Sequence, residues 1–202
     1  MTPEQAAELL ERTGALLHGH FELTSGRHSD LYVQKARLLE DPAVTMELAR
    51  EIASWYPDGT GVVVVPAVGA IALGFAVALA AGARSIFAER EDGGMRLRRG
   101  FEVHAGERAL VVEDVVTTGG SAREVHELVR RATPSVLGVA ALVDRSTSDV
   151  GVPLRALFPS TCECYYHRLT LSLEQLLALS GPEGIHTRAR QGRRVEAHQG
   201  GG

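Results

Sequence analysis

Between Ala109 and Val125 the chain sets out, in one order, the residue types needed to hold a phosphorylated ligand. The apolar run Ala109-Leu110-Val111-Val112 reaches Glu113-Asp114, passes Val115-Val116, and opens into Thr117-Thr118-Gly119-Gly120-Ser121 ahead of an amphipathic segment. This predicts a buried parallel strand, a tight loop and a helix. Glycines let the backbone come close, hydroxyls donate, and a helix N-terminus offers N–H groups and a favourable dipole, so the loop is a cradle for an anion. Adjacent carboxylates at the carboxyl end of a strand, where open α/β sheets bind ligands, suit paired hydroxyls or a hard cation. Together they describe a sugar phosphate, its hydroxyls on the acids and its phosphate on the loop. The competing reading is a packing turn with helix-capping acids, since Gly-rich strand-to-helix turns are common. The order of strand, acid pair and loop favours the ligand site.

A second concentration of chemistry follows Ser85-Ile86-Phe87-Ala88, where Arg90, Arg96, Arg98 and Arg99 surround Gly93 and Gly94 among further charges. Glycines within charge predict a mobile, solvated loop over 89–107 rather than a packed element. Guanidinium forks bind phosphate oxygens bidentately, and a closing loop excludes water; a plain basic surface is the alternative. A third site is Asp144-Arg145, a charged pair at the tip of the apolar run Val136–Val143, pointing into the ligand crevice of such a sheet. His18, His20 and His28 match no compact metal-ligand spacing. Cys162 and Cys164 are too few for a disulfide framework or a four-ligand zinc site and fit reduced thiols.

These groups need a scaffold. Thr2-Pro3 with apolar residues at Ala6, Leu9 and Leu10 predicts an opening helix, and the segment 18–33 predicts a hairpin around Thr24-Ser25-Gly26. Val44, Met46, Leu48, Ala49, Ile52 and Trp55 mark a helix with one buried face. Gly61-Val62-Val63-Val64-Val65 is a central strand, Pro66 to Gly69 its loop, and Ile71 to Ala81 a helix ending at Gly82. Ala122–Ala132 is the helix after the central loop; 153–158 and 162–166 read as edge strands, and 172–179 as a short helix. The fold class is therefore α/β, a mostly parallel central sheet flanked by helices.

The whole chain of 202 residues, 45% apolar with formal net charge −4, fits one domain and shows no overall footprint for nucleic acid. The N-terminus lacks a signal-peptide pattern and no apolar run is long enough to cross a bilayer, so the expected setting is cytoplasmic, without a membrane partner. The domain is expected over 1–180, with a small N-terminal hood over about 1–40, and the polar stretch 181–202 as a disordered tail.

The order of strand, two acids, two apolar residues and Thr/Gly loop resembles the phosphoribosyl diphosphate (PRPP) motif of the type I phosphoribosyltransferases. Phe21-Glu22-Leu23-Thr24-Ser25-Gly26, with His28-Ser29 and Tyr32, resembles the N-terminal signature of the orotate phosphoribosyltransferases within them. The resemblance implies that Glu113, Asp114, Val115, Val116, Thr117, Thr118, Gly119, Gly120 and Ser121, with Arg90, bind PRPP. It implies that Arg145, Thr117, Thr24, Ser25 and Gly26 bind orotate, Arg145 through the carboxylate. Arg90, Arg96, Arg98, Arg99 and Asp114 become the catalytic set, with Mg2+ brought by PRPP and Asp114 the side chain placed to meet it. A homodimer is implied, the flexible loop 90–100 being shared across its interface. Thr24 and Val68 stand where many members carry lysine, and Lys35, the only lysine, is the nearest substitute for the first. Two other readings remain: a phosphoribosyltransferase for a purine or other base, and a non-catalytic PRPP-sensing regulator.

Overall fold

The computed structural model describes residues 1, 3–22, 28–146, 148–158, 187–190 and 193–196. The chain falls into two compact units, Leu38–Ser160 with Met1, and Thr2–Arg37 with Thr161–Gly202.

In the second of these units, helix α1 (Pro3–Arg12) buries Ala6, Leu9 and Leu10, the one-face spacing that predicts it. Strands β1 (Leu16–Glu22) and β2 (His28–Val33) form an antiparallel hairpin, with the rings of Phe21 and Tyr32 stacked at 5.4 Å. The hairpin matches the sequence reading; its turn, with Thr24, Ser25 and Gly26, lies outside the described residues. Helix α2 (Lys35–Leu39) follows, too short to leave a clear periodicity in the sequence.

In the larger unit, Asp41 caps α3 (Pro42–Ser54), its Oδ1 accepting from Ala43 N–H at 2.8 Å. The Val run forms β3 (Val62–Pro66), buried on both faces, which requires cover on each side of the sheet. Helix α4 (Ile71–Ala81) stops where Gly82 turns left-handed at φ 66°. Next come β4 (Arg84–Glu91), β5 (Gly94–Leu97), β6 (Ala109–Val116), helix α5 (Gly120–Ala132), β7 (Val136–Asp144) and β8 (Leu154–Phe158). The six strands lie in the order β5-β4-β3-β6-β7-β8, all neighbours parallel except β4 with β5.

Strand alternation assigns the two faces. Val62, Val64, Val111 and Ala141 join Val125 and Val129 of α5 in one core. Val65 points the other way, toward α4, where Gly74 allows an approach that any Cβ would block by striking Val65 Cγ1.

One expectation is corrected. The basic segment is not a loop from residue 89: β4 runs through Arg90 and turns at Asp92-Gly93 into β5, Glu91 pairing with Gly94. Asp92 and Gly93 both have positive φ, 50° and 80°, the backbone of a two-residue hairpin turn that Asp-Gly favours. Met95, Leu97 and Phe101 pack on the core, and Phe101 meets Phe87 edge-on at 5.0 Å. Charge on the exposed face hid an apolar inner one.

Two further strands lie within the polar stretch 181–202. Strands β9 (Thr187–Arg190) and β10 (Arg193–Glu196) pair antiparallel there, with β9 beside β1. The ladder satisfies backbone donors and acceptors that composition alone leaves out of account. Residues 162–166 and 172–179 lie outside the described residues.

Candidate active site

The carboxyl end of β6 passes into α5 through Thr117–Gly119. Gly119 occupies the helix N-cap with φ 72°, a left-handed backbone, and a Cβ there would lie 2.7 Å from Val150 Cβ. Only glycine fits both demands. No side chain caps α5, so its first N–H groups are not taken up by one. Thr117 and Thr118 are exposed beside them, and Gly120 and Ser121 half-buried.

Glu113 and Asp114 are both buried, 6% and 5% exposed. As strand neighbours they leave β6 on opposite faces. Glu113 turns toward α5: its Oε2 accepts from Ser121 Oγ–H at 2.9 Å and its Oε1 from Asp114 N–H at 3.2 Å. Asp114 Oδ1 accepts from Val115 N–H at 2.7 Å. Burial, reinforced by the neighbouring Asp114 charge and opposed by the Ser121 hydrogen bond, pushes the Glu113 carboxyl up to about 7. One of the two acids is thus poised between its charged and neutral forms near neutrality.

The neighbouring strand brings the next candidate alongside. Val116 is in register with Asp144, and Arg145 N–H donates to Val116 O at 2.8 Å. Arg145 therefore leaves the sheet one step from Thr117. On the other side, β3 ends at Pro66, in register with Ala88. The following loop holds Ala67 N–H on Ala88 O at 2.8 Å, has a cis Ala67–Val68 peptide, and leaves Val68 79% exposed.

Arg90 reaches the same region. Its Nη2 donates to Glu124 Oε1 at 3.2 Å, in the first turns of α5, and its Nη1 to Gly93 O at 3.1 Å. Arg96, Arg98 and Arg99 are not brought to the acids. Arg96 and Arg98 share Glu91, at 3.7 and 3.2 Å, while Arg99 forks onto both oxygens of Glu89 at 2.9 Å. All three guanidinium groups are more than half exposed, so these pairs are weak and exchangeable. His104 sits at the other end of the sheet, its N–H on Glu107 beside Arg84, away from the loop.

Sequence reasoning missed Arg123 and Glu124. Arg123 donates from Nη1 to Thr118 O at 3.0 Å and Val150 O at 3.1 Å. A cation in the first turn of a helix, against the dipole, was the available sign. Among the described residues no group of three or more His, Cys, Asp or Glu forms a metal site, and no helix is long and apolar enough to cross a membrane.

A family model described as phosphoribosyl transferase domain matches residues 36–151. The orotate phosphoribosyltransferase of Pelotomaculum thermopropionicum is 49% identical over 168 residues, covering 82% of this chain and 88% of the relative. The chain belongs to the orotate phosphoribosyltransferase family. The Thermotoga petrophila member is 51% identical over 156 residues, 74% of this chain and 82% of its own. Among solved structures, orotate phosphoribosyltransferase from Aeropyrum pernix superposes with a TM-score of 0.63 at 27% identity, over 78% of this chain and 95% of that one. The Mycobacterium tuberculosis orotate phosphoribosyltransferase in complex with inorganic phosphate gives 0.59 at 27%, over 79% and 96%. An adenine phosphoribosyltransferase at 19% identity shares the fold alone.

Proposed function

We propose that the protein transfers the ribose 5-phosphate group of PRPP to orotate, giving orotidine 5'-monophosphate and diphosphate in pyrimidine biosynthesis. The observation that carries this reading is the register of β6 against β7, which sets the Thr117–Ser121 turn and Arg145 on adjoining strand ends. A pentose phosphate and a planar carboxylated base fit that pair of sites, and the family relation names the same substrates.

Breaking the C1–O bond of the pentose builds positive charge on the ring and negative charge on the departing diphosphate. In the proposed arrangement the turn 117–121 holds the 5'-phosphate by backbone N–H and hydroxyl groups, and Asp114, with Glu113 behind it, takes the ring hydroxyls. Arg145 forks onto the orotate carboxylate, with Thr117 orienting the ring for attack by its nitrogen. Arg90 supplies charge to neutralise the leaving group, and Arg96, Arg98 and Arg99 exchange Glu91 and Glu89 for diphosphate oxygens. The donor set at β6, two carboxylates of which one is held by Ser121, fits an ion that arrives on substrate phosphates rather than one caged by protein. Asp114 would hold a Mg2+ ion carried in on the diphosphate, and such an ion would supply further charge neutralisation to the leaving group.

A homodimer completes the proposal. Phe75 and Leu79 of α4 are each 63% exposed and, with Ile71, Ala78 and Phe87, line an apolar groove of about 320 Å³. An exposed apolar groove between α4 and β4, the strand that leads into the basic hairpin, suits a second copy, the ribbon 90–100 then serving the neighbouring site. The cysteines, read as reduced thiols, accord with a cytoplasmic enzyme.

Turnover with PRPP and Mg2+ tests the reading: diphosphate release with orotate, and none with adenine, hypoxanthine or uracil, is expected. Release with a purine instead, or PRPP binding without release, overturns it.

A further inference from the structure

We propose that Arg123 is a positioning residue: it sets the orientation of the phosphate-binding turn and braces that turn against the loop that bears Arg145. The inference rests on the reading of residues 117–121 as the phosphate cradle and goes beyond it.

Arg123 stands in the first turn of α5, where the helix dipole disfavours a cation. Its side chain leaves the helix axis and places one nitrogen, Nη1, between two backbone oxygens, Thr118 O at 3.0 Å and Val150 O at 3.1 Å. A charged donor between two carbonyls is worth more than a neutral one.

The first contact has a geometric consequence. Thr118 O and Gly119 N–H belong to one planar trans peptide, whose C=O and N–H point in opposite directions. Holding the oxygen toward Arg123 aims the Gly119 N–H away from it. A left-handed glycine, φ 72°, is the residue type most free to let that peptide flip, so the orientation has to be imposed from outside. Arg123 imposes it.

The second contact reaches the segment after β7. Val150 is 6% exposed, seated in the core beneath α5, and Asp149 Oδ1 accepts from Gly151 N–H at 2.8 Å to shape the bend. The side chain of Arg123 lies along this bend, its Cδ 3.6 Å from where a Cβ on Gly151 would sit. At the start of the same segment Arg145 N–H holds Val116 O at 2.8 Å. Two ties, Val116 to Arg145 and Thr118 through Arg123 to Val150, join the phosphate turn to both ends of the loop. The pentose phosphate pocket and the base pocket are thereby held in one frame.

The test compares the full-length protein with Arg123→Met, which keeps the aliphatic stem, and Arg123→Lys, whose ammonium can donate to both carbonyls. Ribose 5-phosphate is titrated by calorimetry and KM for PRPP is measured beside kcat and Tm. Loss of a charge-assisted donor predicts that Arg123→Met raises the ribose 5-phosphate Kd and the PRPP KM together by about tenfold, with Tm nearly unchanged, and that Arg123→Lys restores both to within about threefold. Should Arg123→Met fail to fold, Arg123→Gln, whose shorter neutral amide loses the charge-assisted bond and the reach to both carbonyls, is read by the same criterion. A Met or Gln variant binding ribose 5-phosphate as tightly as the parent, or a Lys variant no better than Met, overturns the brace. A parent protein that does not bind ribose 5-phosphate overturns the cradle itself, and the brace with it.

Discussion

Ser121 Oγ donates to Glu113 Oε2 at 2.9 Å, so the first turn of α5 is fastened to the end of β6 by a carboxyl that burial pushes up to about 7. The two elements that frame the phosphate turn thus share a titrating group.

The folded protein holds the Glu113 proton more tightly than the unfolded chain, whose carboxyl titrates near 4.5. Native binds more protons than unfolded in that window, so stability falls as pH rises from about 4.5 through about 7 and is level below it. The decline is at most about 3.5 kcal/mol, at roughly 1.4 kcal/mol per pKa unit. Glu113→Gln retains an acceptor for Ser121 and removes the ionisation. Thermal unfolding from about pH 5 to about pH 8 should show a smaller decline for Glu113→Gln than for the parent. Equal slopes would count against the assignment.

Asp114→Asn keeps the acceptor for Val115 N–H but loses the charge that the proposed arrangement sets against the pentose. Its kcat/KM for PRPP should fall about a hundredfold or more, with Tm within a few degrees of the parent. A variant with parental kinetics contradicts the role given to Asp114.

Arg145→Lys keeps the charge and loses the fork. The KM for orotate should rise at least tenfold while that for PRPP moves by less than about threefold, because one flat carboxylate needs two parallel donors. Equal changes for both substrates would argue for a structural arginine.

Arg90→Ala and Asp114→Asn proteins, each inactive alone, should regain about a quarter of parental turnover when mixed and allowed to exchange subunits, since half the dimers are mixed and each has one intact site. No recovery despite demonstrated exchange confines Arg90 to its own subunit.

Much of this was legible in the residues. The apolar run before Glu113 and the Val run at 62–65 are buried on both faces, so composition alone identifies them as central strands. Gly82 ends α4 as its position predicts. The β4–β5 hairpin is not legible, because Arg and Glu on its outer face mask the alternation of Phe87, Met95 and Leu97, and Asp92-Gly93 among so many charges signals a solvated loop as readily as a hairpin turn. Arg123 was hidden for another reason: its partners are backbone oxygens of Thr118 and Val150, and carbonyls leave no trace in side-chain pattern. Nor does sequence tell that Glu89 and Glu91 balance Arg96, Arg98 and Arg99, a matter of which residues the hairpin brings together.

The most direct measurement is a crystal structure of the protein with PRPP and Mg2+ bound. The account predicts 5'-phosphate oxygens within hydrogen-bond distance of the N–H groups of Thr118–Ser121 and the pentose hydroxyls on Asp114. PRPP seated elsewhere, or Asp114 and the turn facing away from it, would contradict the account.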